Sequence, residues 1–511
     1  MSRLARRLLL PLLVCAAGSL LGCERPDEAQ VVRLGEGAVR GMAHGDSVAF
    51  KGVPYAAPPV GDLRWAPPQP PAPWTGVRDA TRFGPVCPQP INGGLAKTAV
   101  QSEDCLTLNV WRPRDGAAKA PVLVWLHGGG DVTGSASESR FDGASFARDG
   151  VIFVSVDFRL GALGWFAHPA LTRASKRNAP LANYGLMDQI AALRWVRDNI
   201  ARFGGDPRRV TLAGQSSGGE AVLALMSAPG ARGLFEQAIV ESAPAWAPVP
   251  DLRTAEAAGQ ALALRAGAPD ADLAGLRRIP VPALLAAQGP AVGPVRDGRL
   301  ITQSAAQAFE RDSAAPVPLL IGSNTGEDSL LGKSDPSAVL RSLTPAQVEA
   351  VRSAYGLVPG NDAALGRMVF RDSIFGAPAR WVASRQSTRA PTFLYRFGYV
   401  PILQRLRSNR AGHGDEIPFV FDAKDGSPLV MQPVLPWDSS EMRKVHGCWT
   451  AFVKTGRATC PKGPPWSLYD VRLGWMMLFG NDVTSDEPDV MSHALDVVER
   501  MYGPGGSVPS S

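Results

Sequence analysis

The 511-residue sequence carries 53 Lys and Arg against 47 Asp and Glu, a formal charge of +6, with no cluster of basic residues, which argues against a nucleic-acid partner. Its length would suit roughly two or three domains, yet no Pro/Ser linker, charge block or fixed-period repeat divides it. Neither a C-x-x-C nor an H-E-x-x-H pair occurs, so a zinc site has no support.

Residues 1–22 read as an export signal: Arg3, Arg6 and Arg7 precede an apolar stretch from Leu8 to Gly22 that is too short to span a bilayer. Leu20-Leu21-Gly22-Cys23 resembles the lipobox of bacterial lipoproteins, in which cleavage leaves the cysteine as a lipid-carrying N-terminus. The expectation is a periplasmic or cell-surface lipoprotein that meets the membrane only through lipid on Cys23; an ordinary signal peptide would instead give a secreted protein. Loss of the three arginines lowers the charge from +6 to +3. Residues 23–30 then form a linker. Cys15 leaves with the signal and Cys23 goes to lipid, so four cysteines remain in an oxidising compartment. Two short loops are predicted, Cys87 to Cys105 and Cys448 to Cys460; the alternative is four buried thiols.

Short apolar runs bounded by turn residues recur at 122–126, 151–156, 210–213, 237–240, 317–321 and 392–397, as expected of buried strands in a mostly parallel sheet. Between two of them, Leu186, Ile190, Leu193, Val196, Ile200 and Phe203 repeat at helical spacing until Gly204-Gly205 stops the helix. Strand and helix alternate, so the fold class is α/β, a single domain over residues 31–502. Two Ala-, Leu- and Arg-rich stretches, 250–310 and 330–390, read as helical insertions over the C-terminal edge of the sheet. The tail 503–511 is too rich in Gly, Pro and Ser to order itself.

Gly214-Gln215-Ser216-Ser217-Gly218 spells G-x-S-x-G directly after the apolar run at 210–213. In such a strand-to-helix turn the glycines remove side chains that would clash, and the middle serine is pushed into the open. Ser216 is therefore the candidate nucleophile. Roughly ninety residues upstream, His127-Gly128-Gly129-Gly130 follows another apolar run. Backbone N–H groups of Gly129, Gly130 and Ser217 would form an oxyanion hole, where glycine lets a substrate carbonyl approach.

Longer strings are more specific: Lys51-Gly52-Val53-Pro54-Tyr55-Ala56, Ser102-Glu103-Asp104-Cys105-Leu106-Thr107-Leu108-Asn109-Val110, Asn183-Tyr184-Gly185-Leu186-Met187-Asp188-Gln189 and Phe203-Gly204-Gly205-Asp206-Pro207. Through them, about residues 31–495 resemble the type-B carboxylesterases, α/β-hydrolases that include the cholinesterases and the catalytically dead neuroligins. The resemblance implies an acid in a G-x-N-x-x-E context, matched by Gly322 to Glu327, and a base in an H-G-x-E-I-P-F context, matched by His413 to Phe419. Glu327 and His413 are the expected partners of Ser216, in the chain order nucleophile, acid, histidine. Asp328 and Asp422 are the rival acids, and His446 the rival base. His446 sits among Val445, Trp449 and Phe452 and suits a packed core position better. His127 and His168 flank loops near the site without suiting the base.

Four departures stand out. Asp131 replaces the family's aromatic after the glycines and, unless turned away or paired, would oppose an oxyanion. Gln215 replaces a glutamate, Ser217 an alanine, and the Cys87 to Cys105 loop lacks the tryptophan that holds quaternary ammonium groups in cholinesterases. The implied activity is hydrolysis of small to medium carboxylic esters through an acyl-enzyme, with no metal or organic cofactor and activity rising through the histidine range to an alkaline plateau. An amide or carbamate substrate on the same triad, and an inactive neuroligin-like binding protein, are the alternatives. Trp246, Trp381 and Phe375 are candidates to line a substrate pocket, against ordinary core packing.

Overall fold

A computed structural model of the protein describes residues 28–90, 99–116, 118–176, 179–289, 292–423, 435–504 and 506. The export signal, Cys23 and most of the tail lie outside them. Among the described residues, thirteen strands join in one sheet. In chain order they are β1 (Ala29–Arg33), β2 (Ala38–His44), β3 (Ser47–Pro54), β4 (Val77–Asp79), β5 (Thr107–Pro113), β6 (Ala120–Leu126) and β7 (Ile152–Val156). There follow β8 (Gly205–Gln215), β9 (Gln237–Glu241), β10 (Leu319–Asn324), β11 (Thr392–Phe397), β12 (Trp475–Phe479) and β13 (Thr484–Pro488). The order is β1-β2-β3-β5-β7-β6-β8-β9-β10-β11-β12-β13, with β4 beside β2.

From β7 to β12 every neighbouring pair is parallel. These strands are covered on both faces, and every residue of β6, β7, β10 and β11 is buried. That double burial explains why they read as unbroken apolar runs. The antiparallel β1–β3 mix buried with more accessible positions and include Lys51 and Arg40, so they form no unbroken apolar run. The helix Tyr184–Asn199 runs into a 3₁₀ turn at Ile200–Phe203, where Gly204 ends it in the left-handed region at φ 93°.

Both Ala- and Leu-rich stretches are helical, but Ala377–Gln386 packs against β10 and β11, so it belongs to the layer flanking the sheet rather than to an insertion. Two buried polar anchors hold the first stretch. Arg64 pairs with Glu103 (Nε to Oε2 2.7 Å) and donates to the carbonyls of Arg277 (2.9 Å) and Ile279 (2.6 Å). Asn183 exchanges two 2.8 Å hydrogen bonds with the backbone of Val295. These bonds set where the insertion lies over the sheet.

The disulfides are Cys87–Cys105 and Cys448–Cys460, closing loops of 18 and 12 residues in separation and fitting an exported protein. Among the described residues no helix is long and apolar enough to cross a membrane. Chain-entropy arguments give each cross-link about 3 kcal/mol. Replacing Cys87 and Cys105 together by Ala should therefore lower the urea midpoint clearly, and an unchanged midpoint would contradict a stabilising cross-link.

Candidate active site

Strand β8 ends at Gln215 and the helix Ser217–Ser227 begins two residues later, so the chain must reverse at Ser216. Ser216 sits at φ 58°, ψ −127°, a conformation that L-residues avoid and that surrounding contacts must enforce. Its N–H donates to the Glu241 carbonyl (2.8 Å) and its carbonyl accepts from Glu220 N–H (2.9 Å). A Cβ at Gly214 would stand 2.4 Å from the Gly218 carbonyl, and one at Gly218 would stand 2.2 Å from the Leu126 carbonyl oxygen. Both glycines are therefore dictated by backbone-to-backbone approach.

The second approach comes from the loop after β6. Gly129 (φ 123°) and Gly130 (φ 63°) turn it, and a Cβ at Gly128 would lie 2.7 Å from the Gln215 carbonyl oxygen and 2.9 Å from Ser216 Cβ. Among the described residues, the N–H groups of Gly129, Gly130 and Ser217 have no acceptor within the protein. Ser217 Oγ accepts from the Asp131 N–H (3.2 Å), which ties the loop to the start of the helix. His127 is buried, stacks on Phe158 at 4.5 Å and places Nδ1 2.8 Å from the Gly128 carbonyl oxygen. Burial pushes its pKa down, so it shapes the loop as a neutral ring.

Glu327 opens the 3₁₀ turn Glu327–Leu331 after β10, and its Oε2 lies 2.5 Å from His413 Nδ1. Its other oxygen accepts from Ser242 Oγ (2.6 Å) and the Asn324 N–H (2.7 Å). The His413 N–H donates to Ser329 Oγ (2.8 Å). Burial alone would lower the His413 pKa, but the hydrogen bond and charge of Glu327 outweigh it and raise it above 6.5. With its Nδ1 proton held by the carboxylate, the neutral ring offers Nε2 as an acceptor, 3.3 Å from Gln215 Nε2. Behind Glu327, burial and then the Glu327 charge push Glu416 up to about 7, and burial and then Glu416 hold Glu241 well above the carboxylate range. Trp449 donates to Glu241 (2.7 Å) and Asn324 to the Gly412 carbonyl (2.7 Å) and to Glu416.

The other candidates lie elsewhere. Asp328 pairs with Arg410 (3.0 Å) and Arg367 (3.7 Å), and Asp422 with Arg148 (3.1 Å). His446 is buried between the Val420 carbonyl (2.7 Å) and Asp149 (3.1 Å), while His168 caps Pro169–Ala174 by accepting from Ala170 N–H. Phe375, in a π-helical turn at Asp372–Gly376, lies against the His413 ring with centroids 5.1 Å apart. Trp246 and Trp381 pack on each other, and Trp246 donates to the Ser373 carbonyl. Asp131 is buried, and among the described residues no donor reaches its carboxyl group; burial, then Glu220, raises its pKa well above the usual range. Sequence reasoning missed Ser242, Asn324 and Ser329. Asn324 stands inside the string that yields Glu327, whereas Ser242 and Ser329 carry no sequence signal at all. Among the described residues no three His, Cys, Asp or Glu side chains gather to hold a metal ion.

The family model described as the carboxylesterase family matches residues 28–352 and 362–493. The chain is 36% identical over 486 residues to fumonisin B1 esterase of Sphingopyxis macrogoltabida, covering 90% of this chain and 88% of the relative. It is 32% identical over 480 residues to para-nitrobenzyl esterase of Bacillus subtilis, covering 89% and 96%. A solved PNB esterase superposes with TM-score 0.82 at 31% identity, covering 92% of this chain and 99% of that one. Matching so much of the sequence and of the fold, the chain belongs to the carboxylesterase family.

Proposed function

We infer that this carboxylic-ester hydrolase works through Ser216 as nucleophile, His413 as general base and acid, and Glu327 as the carboxylate that orients and charges the imidazole. The observation that carries the reading is the 2.5 Å contact between buried Glu327 and His413, in a site whose serine is held in a strained turn. His413 Nε2 takes the Ser216 proton as Oγ attacks the ester carbonyl, and the N–H groups of Gly129, Gly130 and Ser217 receive the developing oxyanion. The imidazolium then protonates the leaving alcohol. Water, deprotonated by the same ring, releases the acid and restores Ser216.

Small to medium carboxylic esters are the proposed substrates, in keeping with the esterases among the relatives. Residues 31–502 act as one unit, and the exported protein is held at a membrane by lipid on Cys23, a reading supported by Leu20-Leu21-Gly22-Cys23.

Four outcomes test this. Ser216→Ala should lower kcat on p-nitrophenyl butyrate by about 10³-fold or more and abolish fluorophosphonate labelling, because the nucleophile is gone. A folded wild type that neither turns over nor labels would favour the binding-protein reading. Wild-type kcat/KM should rise to an alkaline plateau with its acid limb above the ordinary histidine value, since Glu327 raises His413. Glu327→Gln should cost roughly 10³–10⁴ in kcat and move that limb to lower pH, because the charge that opposed the effect of burial is removed. A limb that stays put in this variant would contradict the pairing. Finally, Cys23→Ser should shift the protein from the membrane to the soluble fraction, and unchanged fractionation would sink the anchor.

A further inference from the structure

We propose that Asp131 and Glu220, brought to the same end of the helix that carries the nucleophile, form a subsite for a primary ammonium group on the ester substrate. The proposal rests on the reading of Ser216 as nucleophile and narrows its substrate class. Asp131 stands directly after the three glycines, and its N–H is bonded to Ser217 Oγ at 3.2 Å. Glu220 is three residues further along the same helix and therefore shares the Ser217 face. Asp131 Oδ2 lies 3.3 Å from where a Cβ on Gly293 would be. The next residue, Pro294, lines a pocket together with Glu220, Leu223, Ala224 and Val249. Glu220 thus lines this pocket, and Asp131 lies against Gly293, the residue next to its Pro294 wall.

Asp131 is only 6% exposed, and among the described residues no hydrogen-bond donor reaches its carboxyl group. The charge that raises it beyond the effect of burial is that of Glu220, another acid. Burial pushes Glu220 up to about 7, and burial followed by the Glu220 charge raises Asp131 well above the usual carboxylate range. Asp131, enclosed and without a donor, and the half-buried Glu220 are unfavourable as charges unless protonated or joined by a cation. The described wall of the Glu220 pocket has no Lys, Arg or His to supply one. It has no aromatic ring either, which disfavours a quaternary ammonium, held through ring faces. A primary ammonium carries three N–H donors and can bridge both carboxyls with charge-assisted bonds. Its charge also neutralises Asp131, which would otherwise oppose the oxyanion on the adjacent glycines.

The test compares esters that differ only in charge. kcat/KM is measured at pH 7.5 for p-nitrophenyl 6-aminohexanoate against the heptanoate, and for 5-aminopentyl butanoate against hexyl butanoate, so that the ammonium is placed on either side of the ester. The wild type should prefer the ammonium ester at least tenfold in one of the two pairs, and Asp131→Asn and Glu220→Gln should each reduce that ratio at least tenfold. The trimethylammonium analogue of the preferred ester should lose most of the preference. In wild type alone, hexylamine should inhibit heptanoate hydrolysis at least tenfold more strongly than hexanol, a readout that does not depend on the variants folding. Ratios near one in both pairs, ratios untouched by folded variants, or equal inhibition by amine and alcohol would overturn the subsite while leaving the esterase reading intact. Absence of turnover on the neutral esters as well would overturn the esterase reading, and the subsite with it.

Discussion

Everything at this site depends on two backbones being allowed to touch. The loop leaving β6 and the turn between β8 and the Ser217–Ser227 helix meet with no side chain between them, Gly218 against the Leu126 carbonyl and Gly128 against the Gln215 carbonyl. Parallel pairing of β6 with β8, up to Leu126 beside Gly214, delivers both chain segments to that contact in register. The strain at Ser216 is maintained by this packing and by the bond from its N–H to Glu241. The unused N–H groups of Gly129, Gly130 and Ser217 follow from the same geometry.

The strings shared with the family mostly build scaffold rather than chemistry. Glu103 exists to neutralise Arg64, and Asp188 to neutralise Arg159, whose Nε and Nη2 both reach it at 2.7 Å. Asn109 links the Gly52 N–H to Ser155 Oγ across β3, β5 and β7, and Asn183 holds Val295. Each is a buried polar group with its partner in place, costly to break because the survivor would be left enclosed and unpaired. Of these, Arg64 and Asn183 tie the helical insertion to the rest of the fold.

Much of this was legible in the sequence because backbone sterics and double burial leave strong residue signatures. The six apolar runs coincide with β6 to β11, and Gly214, Gly218 and Gly128 announce close approaches that no other residue could make. The four cysteines pair as their spacing suggested. The half-exposed strands β1–β3 were illegible as apolar runs because polar and charged positions dilute the signal. The polar support of Glu327, from Ser242 and Asn324, was illegible because it joins residues distant in sequence through single hydroxyl and backbone contacts. The departures from the family pattern acquire physical content only in three dimensions: Ser217 gains the Asp131 bond, and Gln215 faces His413 Nε2.

In the proposed mechanism Ser216 carries the acyl group between the two half-reactions. Rapid quenching in acid after mixing with p-nitrophenyl butyrate, followed by peptide mapping by mass spectrometry, tests it most directly. A burst of p-nitrophenol and a butyryl group on the peptide that contains Ser216 are expected. Turnover with the butyryl group on another residue, or with a burst but no covalent adduct, would contradict it.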